Sequence, residues 1–117
     1  MKGLDEVLQC VYKITNTVNN MAYIGTTGCL QYRWYGHRTA SRKGKNPLYQ
    51  EMRVYGLDKF IIEAVEENIR SGIANDREAY WIDYFCTASP HGYNVDAGSL
   101  KRQRIRDAKQ AAAEGKH

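Results

Sequence analysis

The side chain with the clearest chemical implication is a glutamate on an otherwise apolar helix face. Five side chains recur on one side at helical spacing: Ala74, Glu78, Trp81, Ile82 and Phe85. Burying a carboxylate is costly unless it is ion-paired, hydrogen-bonded or bound to a metal ion. Glu78 is therefore either the partner in a buried ion pair, for which Arg33 is a candidate, or a metal ligand.

An arginine and a histidine lie four residues apart in another helical segment. At this spacing Arg33 and His37 are neighbours on the helix surface, and His37 shares its side with Leu30 and Trp34. Taken alone, a histidine on such a face is more often a structural group than a catalyst. Arg33 taken alone is equally consistent with a surface cation.

Two tyrosines lie on predicted strands that are joined by a polar turn. From Cys10 to Thr15 successive side chains alternate between two faces, which is the period-2 pattern of a strand. Asparagines between residues 16 and 20 supply turn chemistry. An antiparallel pair places Tyr12 and Tyr23 on one face, within cross-strand reach. Periodicity alone favours the interpretation that both rings cover a core.

Two helices are predicted after the second strand. The first spans residues 29–43 and has a hydroxyl cap among residues 26–27. The second spans residues 46–56, because Asn46 is a good capping residue and Pro47 suits the first helical position. Its apolar stripe indicates a scaffold role: Leu48, Met52 and Tyr55.

A third strand and a third helix complete the predicted elements. Residues 60–65 form a short apolar strand that completes a small sheet, and residues 69–73 form a connector. The helix spans residues 75–85, with Asn75 or Asp76 as its cap. A turn-rich loop follows this helix.

Bulk composition indicates one soluble globular domain. The chain has 117 residues, of which 43% are hydrophobic and 26% charged, and nine tyrosines outnumber two phenylalanines. Tyrosine is favoured where an apolar ring must end in a polar contact. No apolar run reaches the length of a membrane span, and no signal peptide opens the chain. The widely spaced Cys10, Cys29 and Cys86 suit reduced thiols, so we expect a cytoplasmic protein.

The positive charge is concentrated at the carboxyl end. Residues 1–98 hold eleven Lys and Arg against eleven Asp and Glu, whereas residues 99–117 hold six against two. We therefore predict a domain over residues 1–98 and a basic arm or linker over residues 99–117. A neutral body with a basic arm suggests a polyanionic partner, although a tail kept for solubility has the same composition.

Residues 10–25 resemble the paired signature of the GIY-YIG nuclease family. CVY at 10–12 stands for the first triplet and YIG at 23–25 for the second, and the ten residues between them match the family's spacing. Cys10 and Val11 replace the glycine and isoleucine of the first triplet at framework positions, and Tyr12 is retained.

Three further stretches carry the resemblance. RWYGH at 33–37 resembles the family's helix arginine and histidine, REAYWIDYF at 77–85 resembles its glutamate-bearing helix, and GYN at 92–94 resembles its closing motif. The resemblance covers roughly residues 9–97. It implies an α+β fold in which a small three-stranded antiparallel sheet is flanked by helices.

The resemblance implies a metal-dependent DNA endonuclease of homing or phage type that leaves 5′-phosphate and 3′-hydroxyl ends. We expect Mg²⁺ or Mn²⁺ as cofactor, held by Glu78. Arg33 would bind phosphate oxygens, Tyr12 would act as general base and His37 would relay its proton. Tyr23 would orient the attacking water or a phosphate oxygen, and Asn94 would fix the geometry of the site. The implied catalytic set is Tyr12, Tyr23, Arg33, His37, Glu78 and Asn94.

DNA is the implied partner, and two basic groups are predicted to contact its backbone. The first group follows the first helix and would also suit a helix C-terminus. The second lies in the basic arm. The eight residues are Arg38, Arg42, Lys43, Lys45, Lys101, Arg102, Arg104 and Arg106. A domain of this size implies one active site, so a double-strand cut requires a transient dimer on DNA or sequential nicks.

Other classes of protein compete with a homing-type nuclease. One is a non-cleaving DNA-binding module of the same fold, and another is a structure-specific repair nuclease. A protein-interaction domain with tyrosines on its surface is the third. The presence of Tyr12, Arg33 and Glu78 together favours cleavage over binding alone.

Overall fold

The computed structural model describes residues 8–95, and within that range three strands form one sheet against which three helices pack. The predicted basic arm at residues 99–117 lies outside the described residues. The elements follow in the order β1 (Leu8–Asn16), β2 (Ala22–Thr27), α1 (Leu30–Ala40), α2 (Pro47–Tyr55), one 3-10 turn (Leu57–Lys59), β3 (Phe60–Arg70) and α3 (Ser71–Phe85).

The sheet has three antiparallel strands in the order β2-β1-β3. This confirms the predicted α+β architecture of a small three-stranded antiparallel sheet flanked by helices. The β1–β2 turn uses asparagine as expected, because Asn16 Oδ1 accepts from the Val18 amide at 2.9 Å. Asn20 adopts a left-handed conformation with φ 65°.

Helices cover both faces of the sheet, so β1 is buried on both sides. Tyr12 and Ile14 pack with Leu48 and Met52, the core side chains of α2. Val11 packs on the opposite face, in the cluster that includes Ala74 and Ile82 of α3. The alternation predicted for β1 is therefore observed, and it directs Tyr12 toward α1 and α2.

The first helix begins without the predicted hydroxyl cap and is shorter than residues 29–43. Its N-cap is Cys29, whose side chain makes no capping bond. Thr27 instead closes the loop before the helix, since its Oγ1 accepts from the Cys29 amide at 3.1 Å. The second helix begins as predicted, because Asn46 Oδ1 accepts from the Tyr49 amide at 2.8 Å.

The third strand and third helix are both longer than predicted. Residues 66–73 were assigned to a strand end and a connector, but β3 continues to Arg70 and α3 begins at Ser71. Register shifts against β1 mark β-bulges, and Asn68 has φ 60°. The acidic residues that suggested a strand end are accommodated at these bulges. Arg77 and Trp81 both donate to Glu66 Oε1, each at 2.8 Å.

No helix within residues 8–95 combines the length and apolar character needed to cross a bilayer.

Candidate active site

Tyr12 occupies the middle of β1 and is only 2% exposed. Its cross-strand partner in β2 is Gly25, the glycine of the Tyr-Ile-Gly triplet. A Cβ atom on Gly25 would overlap the Tyr12 hydroxyl and lie 2.6 Å from its Cζ. The glycine therefore leaves the space in which the tyrosine ring lies across the sheet.

A chain of short hydrogen bonds joins Tyr12 to both helices on its side of the sheet. Tyr12 Oη lies 2.7 Å from His37 Nε2, and His37 Nδ1 lies 2.8 Å from Tyr49 Oη. His37 is 6% exposed, so α1 and β1 enclose it. Both nitrogens of one imidazole are thus engaged by tyrosine hydroxyls, one from β1 and one from α2.

Tyr23 completes the aromatic wall around this histidine. Its ring centroid lies 6.2 Å from that of Tyr12 and 5.6 Å from that of His37, with the histidine edge-on. The two tyrosines are diagonal neighbours in the β1–β2 register, as the strand pattern predicted. Tyr23 is half-buried, which leaves part of its ring at the surface.

Two charged residues act on this cluster from two different helices. The positive charge of Arg33, an exposed residue of α1, lowers the pKa of Tyr12 and of His37. The negative charge of Glu78, from α3, raises the pKa of Tyr12. The structure therefore brings an arginine and a carboxylate within electrostatic range of the same tyrosine hydroxyl.

Burial is the main cause of the shifted pKa values of Tyr12 and His37. Burial raises the pKa of Tyr12 well above its usual range, and the neighbouring Tyr23 raises it further. Burial, followed by the charge of Arg33, lowers the pKa of His37 from 6.5 to about 4. At pH 7 Tyr12 is therefore a phenol and His37 a neutral imidazole, with one nitrogen as donor and the other as acceptor.

Asn94 ties the loop after α3 to the strand that carries Tyr23. Its Oδ1 accepts from the Ile24 amide at 2.8 Å and from Thr87 Oγ1 at 2.7 Å. Its Nδ2 donates to the Ile24 carbonyl at 2.8 Å. Because β2 is an edge strand, this side-chain amide substitutes for the missing neighbouring strand and fixes the position of β2.

Comparison with known proteins places the chain in a family. Residues 8–94 match the GIY-YIG catalytic domain. The chain belongs to the GIY-YIG family. Its fold is similar to the structure of the catalytic domain of homing endonuclease I-TevI, with 26% identity, a TM-score of 0.67, and coverage of 75% of this chain and 98% of that one.

A second solved structure gives the same similarity. It is a mutant of the catalytic domain of intron endonuclease I-TevI, with 25% identity and a TM-score of 0.68 over 76% of this chain and 94% of that one. A comparison with curated proteins gave no match. The predicted family and fold are confirmed, and the chain carries a GIY-YIG nuclease domain.

The side chains that could bind a metal within residues 8–95 suit an ion that keeps most of its water ligands better than an ion enclosed by protein ligands. Within residues 8–95 no group of three or more His, Cys, Asp and Glu side chains could hold a metal. Glu78 is half-buried rather than buried, so the desolvation that the helix pattern suggested is only partial. A single carboxylate beside open solvent fits Mg²⁺, which keeps several of its waters when bound to protein.

Four of the eight basic residues predicted to contact DNA lie on the surface around the end of α1. Arg38, Arg42, Lys43 and Lys45 are all exposed. A shallow depression of about 250 Å³ is lined by Tyr35, Arg38, Thr39, Arg42 and Leu57. The other four predicted contacts lie outside the described residues: Lys101, Arg102, Arg104 and Arg106.

A larger depression of about 530 Å³ lies at the end of α3. Its lining includes Asp83, Cys86 and His91, and it contains none of the tyrosines and histidine of the cluster. The cluster of tyrosines and histidine therefore lies apart from this depression.

The sequence analysis missed Tyr49. The apolar stripe of α2 was assigned a scaffold role, and Leu48 and Met52 do lie in the core. Tyr49 follows Leu48 directly and reaches toward α1, which a stripe at helical spacing does not reveal. The proximity of Gly44 to the Tyr49 ring, where a Cβ atom would overlap it, is visible only in the structure.

Proposed function

We propose that this GIY-YIG domain is a divalent-metal-dependent DNA endonuclease that leaves 5′-phosphate and 3′-hydroxyl ends. The observation that carries the proposal is the buried Tyr12–His37 hydrogen bond of 2.7 Å, with Arg33 and Glu78 acting on it from two sides. Phosphodiester hydrolysis needs a base for water, a cation for the phosphate and a metal ligand. We assign these three roles to Tyr12, Arg33 and Glu78.

Glu78 is the proposed ligand of Mg²⁺ or Mn²⁺. When bound, such an ion supplies Lewis-acid stabilisation of the phosphate and of the leaving oxygen. The other side chains have roles that do not depend on where the ion sits. Arg33 is exposed at the rim of the cluster, where its planar guanidinium can bind two phosphate oxygens at once.

Tyr12 is the proposed general base, with His37 as the first acceptor of its proton. A buried phenol with a raised pKa does not ionise on its own at neutral pH, so it can take a proton from water only as it passes its own proton to an acceptor at hydrogen-bond distance. His37 Nε2 is at that distance. Tyr23, half-buried beside both rings, would orient the attacking water or a phosphate oxygen. Asn94 would keep the β2 strand in place.

DNA would follow the basic surface at the end of α1. Arg38, Arg42, Lys43 and Lys45 are exposed there, and Arg38 and Arg42 also line the depression beside Tyr35. We propose that residues 99–117 extend this surface as a basic arm beyond a catalytic domain of residues 1–98. Affinity should therefore fall steeply with salt, because phosphate contacts release counterions.

The test is cleavage of supercoiled plasmid in Mg²⁺ or Mn²⁺, with EDTA as the metal-free control. Glu78→Gln keeps the shape of the side chain and removes its charge. Glu63→Gln makes the same change at an exposed glutamate of β3 and is the matched control. The proposal predicts metal-dependent nicking that is lost in Glu78→Gln and retained in Glu63→Gln.

Three outcomes would redirect the proposal. Equal nicking by Glu78→Gln and Glu63→Gln would remove the metal role from Glu78. Salt-sensitive DNA binding without cleavage of plasmid, cruciform or flap substrates would favour a non-cleaving DNA-binding module of the same fold. Cleavage of flaps or cruciforms alone would favour a structure-specific repair nuclease.

A further inference from the structure

The hydrogen-bond chain that begins at Tyr12 does not end at His37 but continues to a third tyrosine. His37 presents Nε2 to Tyr12 Oη at 2.7 Å and Nδ1 to Tyr49 Oη at 2.8 Å. Tyr12 and His37 are buried, whereas Tyr49 is half-buried. The chain therefore runs from a buried tyrosine to a half-buried one.

We propose that Tyr49 is a positioning residue that fixes the tautomer of His37 and passes the proton of Tyr12 to solvent. The inference rests on the proposed function, because it assigns the exit path for the proton of the general base. In this arrangement Nδ1–H of His37 donates to Tyr49 Oη. The lone pair on Nε2 is then free to accept from the hydroxyl of Tyr12.

Each proton moves by one hydrogen bond, and charge balances. The O–H bond of Tyr12 breaks and its proton binds Nε2 of His37. The Nδ1–H bond breaks and that proton binds Tyr49 Oη, whose own proton passes to a water molecule. Tyr12 takes a proton from the attacking water as it gives up its own, so Tyr12, His37 and Tyr49 all end neutral and solvent carries the extra proton. His37 has exchanged one tautomer for the other without becoming an imidazolium.

The surroundings of His37 explain why the proton must move on. The groups that face its ring are one cation on its own helix and phenols from three elements: Arg33, Tyr12 of β1, Tyr23 of β2 and Tyr49 of α2. The charge of Glu78, from α3, raises the pKa of Tyr12. An imidazolium in this place would be desolvated and repelled by the guanidinium, so His37 can transmit a proton but cannot keep it.

Tyr49 is held in position from both its backbone and its ring. Asn46 Oδ1 accepts from the Tyr49 amide at 2.8 Å at the start of α2. Gly44 leaves room for the ring, since a Cβ atom there would overlap Tyr49 and lie 3.0 Å from the carbonyl oxygen of Ala40. The hydroxyl is thus directed at Nδ1 by local structure rather than by a flexible side chain.

The test compares Tyr49→Phe with Tyr55→Phe in single-turnover cleavage of plasmid DNA from pH 6 to pH 9. Tyr55 lies on the same helix and packs against the core at its edge, so its variant controls for loss of a hydroxyl from α2. We expect Tyr49→Phe to lower kcat by about ten- to hundredfold without raising KM, as when a group that orients a functional histidine is removed. The deficit should narrow as pH rises, because hydroxide can then remove the proton of Tyr12 directly.

A second readout needs neither metal nor DNA. The ¹⁵N shifts of His37 in the metal-free protein distinguish a protonated from an unprotonated ring nitrogen. We expect the Nδ1–H tautomer in the wild type and a mixture, or the other tautomer, in Tyr49→Phe. Nε2–H as the main wild-type tautomer would overturn the inference.

The kinetic outcomes separate the inference from the proposed function. A wild type that cleaves and a Tyr49→Phe variant with the same rate at every pH would overturn the inference and leave the nuclease standing. A deficit of constant size across the pH range would also overturn it, since that is the mark of a packing role. Absence of cleavage by the wild type would overturn both.

Discussion

Replacing Asn94 by alanine, which removes its side-chain amide, should lower the free energy of unfolding of the domain more than replacing a solvent-exposed residue. Asn94 follows a turn-rich loop, yet it is 1% exposed and makes three hydrogen bonds of 2.7–2.8 Å. Two of them satisfy the amide and carbonyl of Ile24, which is itself fully buried. Asn94→Ala removes all three bonds and leaves both backbone groups of Ile24 without a protein partner.

The magnitude follows from this count. At about 1 kcal/mol net for each hydrogen bond, with a further penalty for stranded buried groups, the free energy of unfolding should fall by roughly 3–4 kcal/mol. That is a large part of the ~5–15 kcal/mol typical of a small domain. The melting temperature should fall by roughly 15–25 °C. Thr87→Val removes only the hydroxyl that donates to Asn94 and should show about a third of the effect.

Urea denaturation followed by circular dichroism measures these differences. Asn75→Ala is the matched control, because Asn75 is exposed on α3 and its truncation should change the free energy of unfolding by less than about 0.5 kcal/mol. If Asn94→Ala unfolded at the same urea concentration as Asn75→Ala, the amide would not hold β2 in place. The assigned role of the loop after α3 would then be wrong.

Three further substitutions test other parts of the structure. Gly25→Ala should lower both the melting temperature and cleavage, because its Cβ would overlap the Tyr12 ring; a melting temperature equal to wild type would contradict this. The free energy of unfolding of the wild type should fall on the order of 3 kcal/mol as pH falls from 6.5 toward 4, because His37 is protonated in the unfolded state before it is protonated in the folded state. Urea titrations of His37→Gln should lack this dependence of stability on pH. Glu66→Gln should destabilise the domain above pH 4.5, the ordinary pKa of the carboxyl group, since hydrogen bonds from Trp81 and Arg77 lower the pKa of Glu66, and this difference should vanish in more acidic urea titrations.

The sequence predicted the elements whose signals are local. Alternation in β1 identified the face that carries Tyr12, and Asn46-Pro47 marked the start of α2. Both signals depend only on neighbouring residues: a strand pattern in one case and a capping side chain in the other. The positions of Arg33 and His37 on one helix followed from their spacing alone.

The boundaries of β3 and α3 could not be predicted because distant contacts decide them. Glu66 resembled a strand end, but donors from α3 satisfy its carboxylate and allow the strand to continue. Asn68 resembled a loop residue, but its left-handed conformation forms a bulge within the strand. Neither fact is visible until the helix packs against the sheet.

The same limit applies to the candidate site. Tyr49 contacts His37 across two helices, and no spacing in the sequence links residues 12 positions apart in different elements. The exposure of Glu78 was also misjudged, because a helical stripe does not say how far the covering sheet extends. The sequence therefore predicted which residue types meet, while the geometry of the proton path required the fold.

The role of Tyr12 as general base is tested most directly by the single-turnover rate of Tyr12→Phe on plasmid DNA with saturating metal. The change removes one buried hydroxyl and keeps the ring that packs over Gly25. We expect a loss of about 10²–10⁴-fold with DNA affinity close to wild type, and a stability lower by about 1–2 kcal/mol because one buried hydrogen bond is removed. A cleavage rate close to wild type at neutral pH would contradict the central claim that Tyr12 is the base and His37 its acceptor.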